Sequence, residues 1–161
     1  MAYSSNRHLT ALLSTVLIII LTDQICHSFG SPIKPKGGAR PHDITERSEL
    51  TKLYNKQVVR AERVRRPLWG LFRHEGVRIQ TAGSESEPGR SWLIHKGKGY
   101  GSSHQTVVTD AEHMSNKWKV VEGRPVEGKT VADFIKAGGR DYNLLTDNCL
   151  DAAKNMMKQT G

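Results

Sequence analysis

The sequence predicts an α+β fold in which a small antiparallel sheet packs against helices. Three observations carry this. Between residues 76 and 121, short apolar runs alternate with loops rich in Gly, Ser and Pro, the pattern of antiparallel strands joined by turns. On either side of that stretch, apolar residues recur at helical spacing. The order is helix, three or four strands, helix, helix, and this segregation is the α+β arrangement.

Residues 43–66 read as one basic amphipathic helix. Asp43 or Thr45 is a suitable cap, and Glu46 and Glu49 suit the positive end of the helix dipole. Leu50, Leu53, Tyr54, Val58 and Ala61 share one face, and Lys52, Lys56, Arg60 and Arg63 occupy the rest. That basic face is either an ordinary solvated surface or a docking face for a polyanionic glycan or an anionic membrane. Nothing in it points to a specific nucleic acid. Arg63-Val64-Arg65-Arg66 resembles a dibasic processing site. Pro67 follows Arg66 directly and hinders most basic-residue proteases, so a basic helix end is the better reading.

The strands expected are Gly76–Thr81, Ser91–Lys96, Gln105–Thr109 and Trp118–Val121, forming a meander. Thr130–Ala137 reads as a helix, opened by a Thr130/Asp133 capping-box pair and ended by Gly138-Gly139. From Tyr142 the chain reads as a short apolar extended segment and then a polar break. A last helix follows, with Leu150, Ala153 and Met157 on one face and Asp147 or Asn148 as N-cap. Trp69, Trp92 and Trp118 are expected as core or rim aromatics.

The chain opens with Arg7 and His8 and a short apolar run, Leu9 to Leu21. A membrane span needs about 20 apolar residues. A basic start, a short apolar run and small residues after it predict a secretory signal peptide over residues 1–30. Cleavage is expected after Gly30; the alternatives are cleavage after Ser28 and an uncleaved anchor. Residues 31–42 are rich in Pro, Gly and Lys and read as a flexible linker. Residues 43–161 then form a single domain. The leader carries one base, Arg7, and one acid, Asp23, so the net charge of +8 survives its removal. A basic secreted domain is drawn to acidic surfaces. No Asn-x-Ser/Thr sequence is present.

Cys26 leaves with the leader and Cys149 is left alone. Without a second cysteine it is buried, bonded to another molecule, or reactive. Its place at a helix start biases the thiol towards thiolate, because unpaired amides and the helix dipole favour an anion there. The alternative is a small cysteine packing a helix start. A cysteine nucleophile needs a base within reach and a group to orient that base. His42 lies in the linker, and His104 and His113 lie in polar loop contexts. His74 immediately precedes the first expected strand, and His95 lies within the second. A hairpin of those strands brings the two imidazoles together. The histidines and cysteine show no compact metal spacing, and neither a metal nor a cofactor is expected.

Three segments carry a resemblance: Arg73-His74-Glu75-Gly76-Val77-Arg78-Ile79, Ser91-Trp92-Leu93-Ile94-His95-Lys96-Gly97, and Tyr142 through Cys149. Their order and contexts resemble the circularly permuted papain-like fold, which includes lecithin:retinol acyltransferase-like proteins and permuted relatives of the NlpC/P60 peptidases. In that group a histidine comes first, as H-x-G-V; a second polar residue follows from the next strand; and Asn-Cys comes last, at a helix start. The resemblance implies His74 as general base, His95 as its orienting partner and Cys149 as nucleophile. The residues after Asn148-Cys149 are Leu-Asp-Ala-Ala rather than the Glu-His-Phe of the acyltransferase branch. The implied activity is a secreted thiol hydrolase or acyltransferase acting on an acyl or amide substrate through a thioester. The other class is a secreted non-enzymatic binding, matrix or defence module on the same scaffold.

Overall fold

The computed structural model describes residues 44, 46–68, 70–97 and 105–161. The expected signal peptide and linker lie outside the described residues, as do Trp69 and His104. The order of elements is α1 (Arg47–Tyr54), β1 (Val58–Pro67), β2 (Arg73–Thr81), β3 (Ser91–Lys96), β4 (Thr106–Asp110), a 3-10 turn (Ala111–His113), β5 (Lys119–Pro125), α2 (Val131–Gly138) and α3 (Cys149–Met157). The five strands form one antiparallel sheet in the order β4-β3-β2-β1-β5. The fold is α+β.

The long N-terminal helix is corrected. It ends at Tyr54, and residues 58–67 are a strand flanked by β2 and β5. The false signal has a physical origin. A register shift between Val58 and Arg60 inserts one residue into β1, so Val58 and Ala61 both join the apolar core although three apart. A bulged strand thus imitates helical spacing. The four basic residues of the expected helix share no face. Lys52 pairs with Glu49 on α1 (2.8 Å), Lys56 reaches Glu87 beyond β2 (2.6 Å), and Arg60 and Arg63 stand on β1 beside Glu62 (3.0 Å) and Glu122 (3.2 Å).

Strands β2, β3 and β4 pair in the expected order, but the fourth strand of the expected meander is corrected. Strand β5 does not pair with β4 and instead crosses to the far edge beside β1, the strand that was expected as helix. The segment before Cys149 is not extended either. Asn143 and Asp147 form an isolated bridge, and Asn143 Oδ1 accepts from the amides of Leu145 (2.9 Å) and Thr146 (3.2 Å). An Asn side chain that mimics backbone makes a turn of an apolar-looking run.

The alternation of β2 and β3 defines two faces. Val77, Ile79, Trp92, Ile94 and Val108 belong to one apolar cluster with Phe134 and Ile135 of α2 and Ala152, Ala153, Met156 and Met157 of α3. This is the helix-covered face. On the other stand His74, Gly76, Leu93 and His95, with Gly76 opposite His95. Between β4 and β5 the chain passes from one edge of the sheet to the other, and Trp118 comes against His74 there (ring centroids 5.5 Å).

The C-terminal end of α2 approaches β4 closely. A Cβ on Gly138 would lie 2.6 Å from Thr106 Cγ2 and 2.9 Å from its Oγ1. Gly138→Ala is therefore expected to lower stability by about 1–3 kcal/mol through overpacking, read as a lower urea midpoint at unchanged slope. Gly138→Ala paired with Thr106→Ser should recover part of the loss.

Candidate active site

His74 is the second residue of β2 and His95 the fifth of β3. Gly76 pairs with His95, so His74 is the diagonal neighbour of His95 on one face. Their rings meet edge to face, with centroids 5.4 Å apart and planes at 85°. The Nε2 of His74 lies 3.2 Å from Nδ1 of His95. One nitrogen must donate and the other accept, so both rings are fixed by a single choice of tautomer. The pair is buried, at 2 % and 7 % exposure. The opposing glycine matters here. A Cβ on Gly76 would stand 2.8 Å from the Ile94 carbonyl oxygen and 3.0 Å from His95 Cβ, so a side chain at 76 would displace His95.

Burial holds the His74 imidazole well below its ordinary titration range, and the nearby His95 and Arg66 add to that effect. His74 is therefore a neutral ring at physiological pH. Arg66 lies across from His74 on β1 and stacks over Trp118, 5.2 Å from the ring centroid. Arg66 and Trp118 were not singled out by their sequence context as neighbours of the histidines; the crossover that carries Trp118 there is tertiary.

Cys149 opens α3 and is 1 % exposed. Asn148 caps the helix, its Oδ1 accepting from the amides of Leu150 (2.8 Å) and Asp151 (3.2 Å). Asp147, the other expected cap, has a different partner. It reaches Lys96 Nζ at 2.5 Å, and the same ammonium donates to the Gly138 carbonyl at 2.9 Å. Lys96 is fully buried, at 0 % exposure. This one side chain ties the end of β3 to the end of α2 and to the turn that delivers Cys149. Sequence reasoning missed Lys96; the signal that could have found it is the in-phase spacing of Trp92, Ile94 and Lys96, which puts a lysine on a core face.

The Lys96–Asp147 bond sets the start of α3 at the end of the sheet where β3 finishes and β2 begins. His74, His95 and Cys149 thus share one end of the sheet. The imidazoles stand on one face, while the body of α3 covers the other. Cys149 is also outside the apolar cluster that takes in the remaining buried residues of α3. Among the described residues, no group of three or more His, Cys, Asp or Glu side chains is spaced to hold a metal ion.

No known family profile matches the chain, and no curated protein or solved structure matches it.

Proposed function

We propose that the protein is an exported thiol hydrolase or acyltransferase with Cys149 as nucleophile, His74 as base and His95 as the group that orients it. The observation that carries the proposal is the buried 3.2 Å bond between His74 Nε2 and His95 Nδ1, at the sheet end where α3 begins. In this reading His74 Nε2–H donates to His95, which leaves Nδ1 of His74 to take the thiol proton. The thiolate adds to the carbonyl carbon of an amide or ester. The tetrahedral adduct collapses to a thioester as the carbon–nitrogen or carbon–oxygen bond breaks, and the proton on His74 passes to the leaving amine or alcohol. Water regenerates the thiol and gives a hydrolase; an amine or hydroxyl acceptor gives an acyltransferase. The Cys149 amide, at a helix start, supports the developing oxyanion. Burial keeps His74 in the unprotonated form that can accept the thiol proton but lowers its basicity, so the step relies on the thiolate beside it to stabilise the imidazolium that forms.

A second reading has its own support. The 1 % exposure of Cys149 and the packing of α3 on the face opposite the imidazoles favour a non-enzymatic basic module in which all three side chains are structural. One experiment separates the two. In the enzyme reading, iodoacetamide alkylates Cys149 of the folded protein at mildly acidic pH about tenfold faster than free cysteine, and His74→Ala removes the advantage. Alkylation that waits for unfolding, in wild type and variant alike, leaves the structural reading standing.

A further inference from the structure

The β1–β2 turn is apolar in sequence, and among its described residues Leu68 and Phe72 are half-buried, Leu71 is exposed and none joins the apolar core. Its sequence is Leu68-Trp69-Gly70-Leu71-Phe72. The Leu68 amide donates to the Phe72 carbonyl at 2.9 Å, and Gly70 closes the turn with φ +60°. Leu71 is 97 % exposed, the most exposed large apolar side chain among the described residues. Water is a poor partner for such a side chain at the tip of a hairpin.

Cations surround the base of this tip. Arg65 and Arg66 stand just before the end of β1, and Arg73 stands opposite its last residue, Pro67, on β2. Lys119 pairs with Arg65 from β5, and Lys117 is exposed next to Trp118. The acid among them is Glu75, which is buried and bonded to Arg65 at 2.6 Å. An apolar tip below a cationic collar matches a surface whose anionic groups overlie an apolar interior. We propose that the β1–β2 tip docks the protein on anionic lipid membranes, with Leu71 entering the acyl boundary and the collar meeting the headgroups. The charge of the chain, +8, acts in the same direction. His74 is two residues past Phe72, so docking sets the histidine pair close to the lipid–water boundary. The docking itself does not depend on whether Cys149 is reactive.

The test uses protein collected as exported by expressing cells. It is sedimented with vesicles of phosphatidylserine and phosphatidylcholine, and with vesicles of phosphatidylcholine alone. Wild type is expected to bind the mixed vesicles and to lose most of that binding at high salt. Leu71→Asp, on a side chain already in water, should leave the fold intact and weaken binding about tenfold or more. Arg73→Glu should weaken it as well. Cys149→Ser should bind as wild type, which separates this outcome from failure of the thiol chemistry. Leu71→Asp binding as tightly as wild type overturns the proposal. So does equal affinity for the two vesicle types. Wild type that ignores vesicles but self-associates through Leu71 also overturns it, and assigns the tip to a second copy of the chain.

Discussion

Asp147→Ala is expected to destabilise the protein by about 3 kcal/mol, the lower end of the range for breaking a buried ion pair. The reason is the asymmetry of the pair. Lys96 is fully buried, whereas the Asp147 side chain keeps 37 % of its surface. Removing the carboxylate leaves an ammonium in the interior with the Gly138 carbonyl as its remaining bonded partner among the described residues. Lys96→Met should cost less, about 1 kcal/mol, because methionine retains most of the apolar stem and the half-exposed carboxylate returns to water. Urea unfolding of the two variants measures the difference, as a shift in midpoint at constant slope. Equal losses for both would mean that the packing of the lysine stem, rather than its charge, holds the α2–α3 junction. The same variants bear on the site, since Asp147 lies two residues before Cys149.

The second large effect is on pH. The folded-state pKa of His74 is well below 6.5, chiefly because the ring is buried and then because of His95 and Arg66. The unfolded chain titrates near the ordinary value. Below about pH 6.5 the unfolded state therefore binds a proton that the folded state refuses, and stability falls. The contribution is complete above pH 6.5 and is lost as pH drops towards the folded-state value, by up to about 1.4 kcal/mol per pH unit. Thermal or urea unfolding between about pH 7.5 and pH 5 should show this slope. His74→Gln should flatten most of it, with some general loss of packing. A wild-type profile that stays level over that range would mean that the imidazole meets solvent in the folded protein.

Much of this architecture was legible in residue order. Strand β3 was expected at the boundaries it has, because Ser91–Lys96 is a short, largely apolar run bounded by loops rich in Gly and Ser. The short helix α2 was legible from Thr130 and Asp133, whose carboxylate accepts from both the Thr130 amide (2.8 Å) and hydroxyl (3.0 Å). The helix starting at Cys149 was legible from its cap, Asn148, which depends on groups two and three residues away. The pairing of His74 with His95 follows from a hairpin of the two strands. Each of these signals is local, or involves neighbouring strands.

The failures involve longer distances. Residues 58–67 looked helical because a bulge in a strand puts apolar side chains three apart, and only pairing with β2 and β5 reveals the strand. The place of β5 beside β1, and hence of Trp118 over His74, depends on a crossover that no periodicity encodes. Parity along β2 and β3 assigns the histidines and the apolar core to opposite faces, but a sequence does not say which face a distant helix covers. Backbone propensity, caps and alternation act within a few residues, so the chain alone determined the kinds of element and the residues at their ends. Burial and strand pairing join segments far apart in the chain, so the tertiary structure alone decided which face α3 packs on, what surrounds His74 and where Lys96 finds its partners.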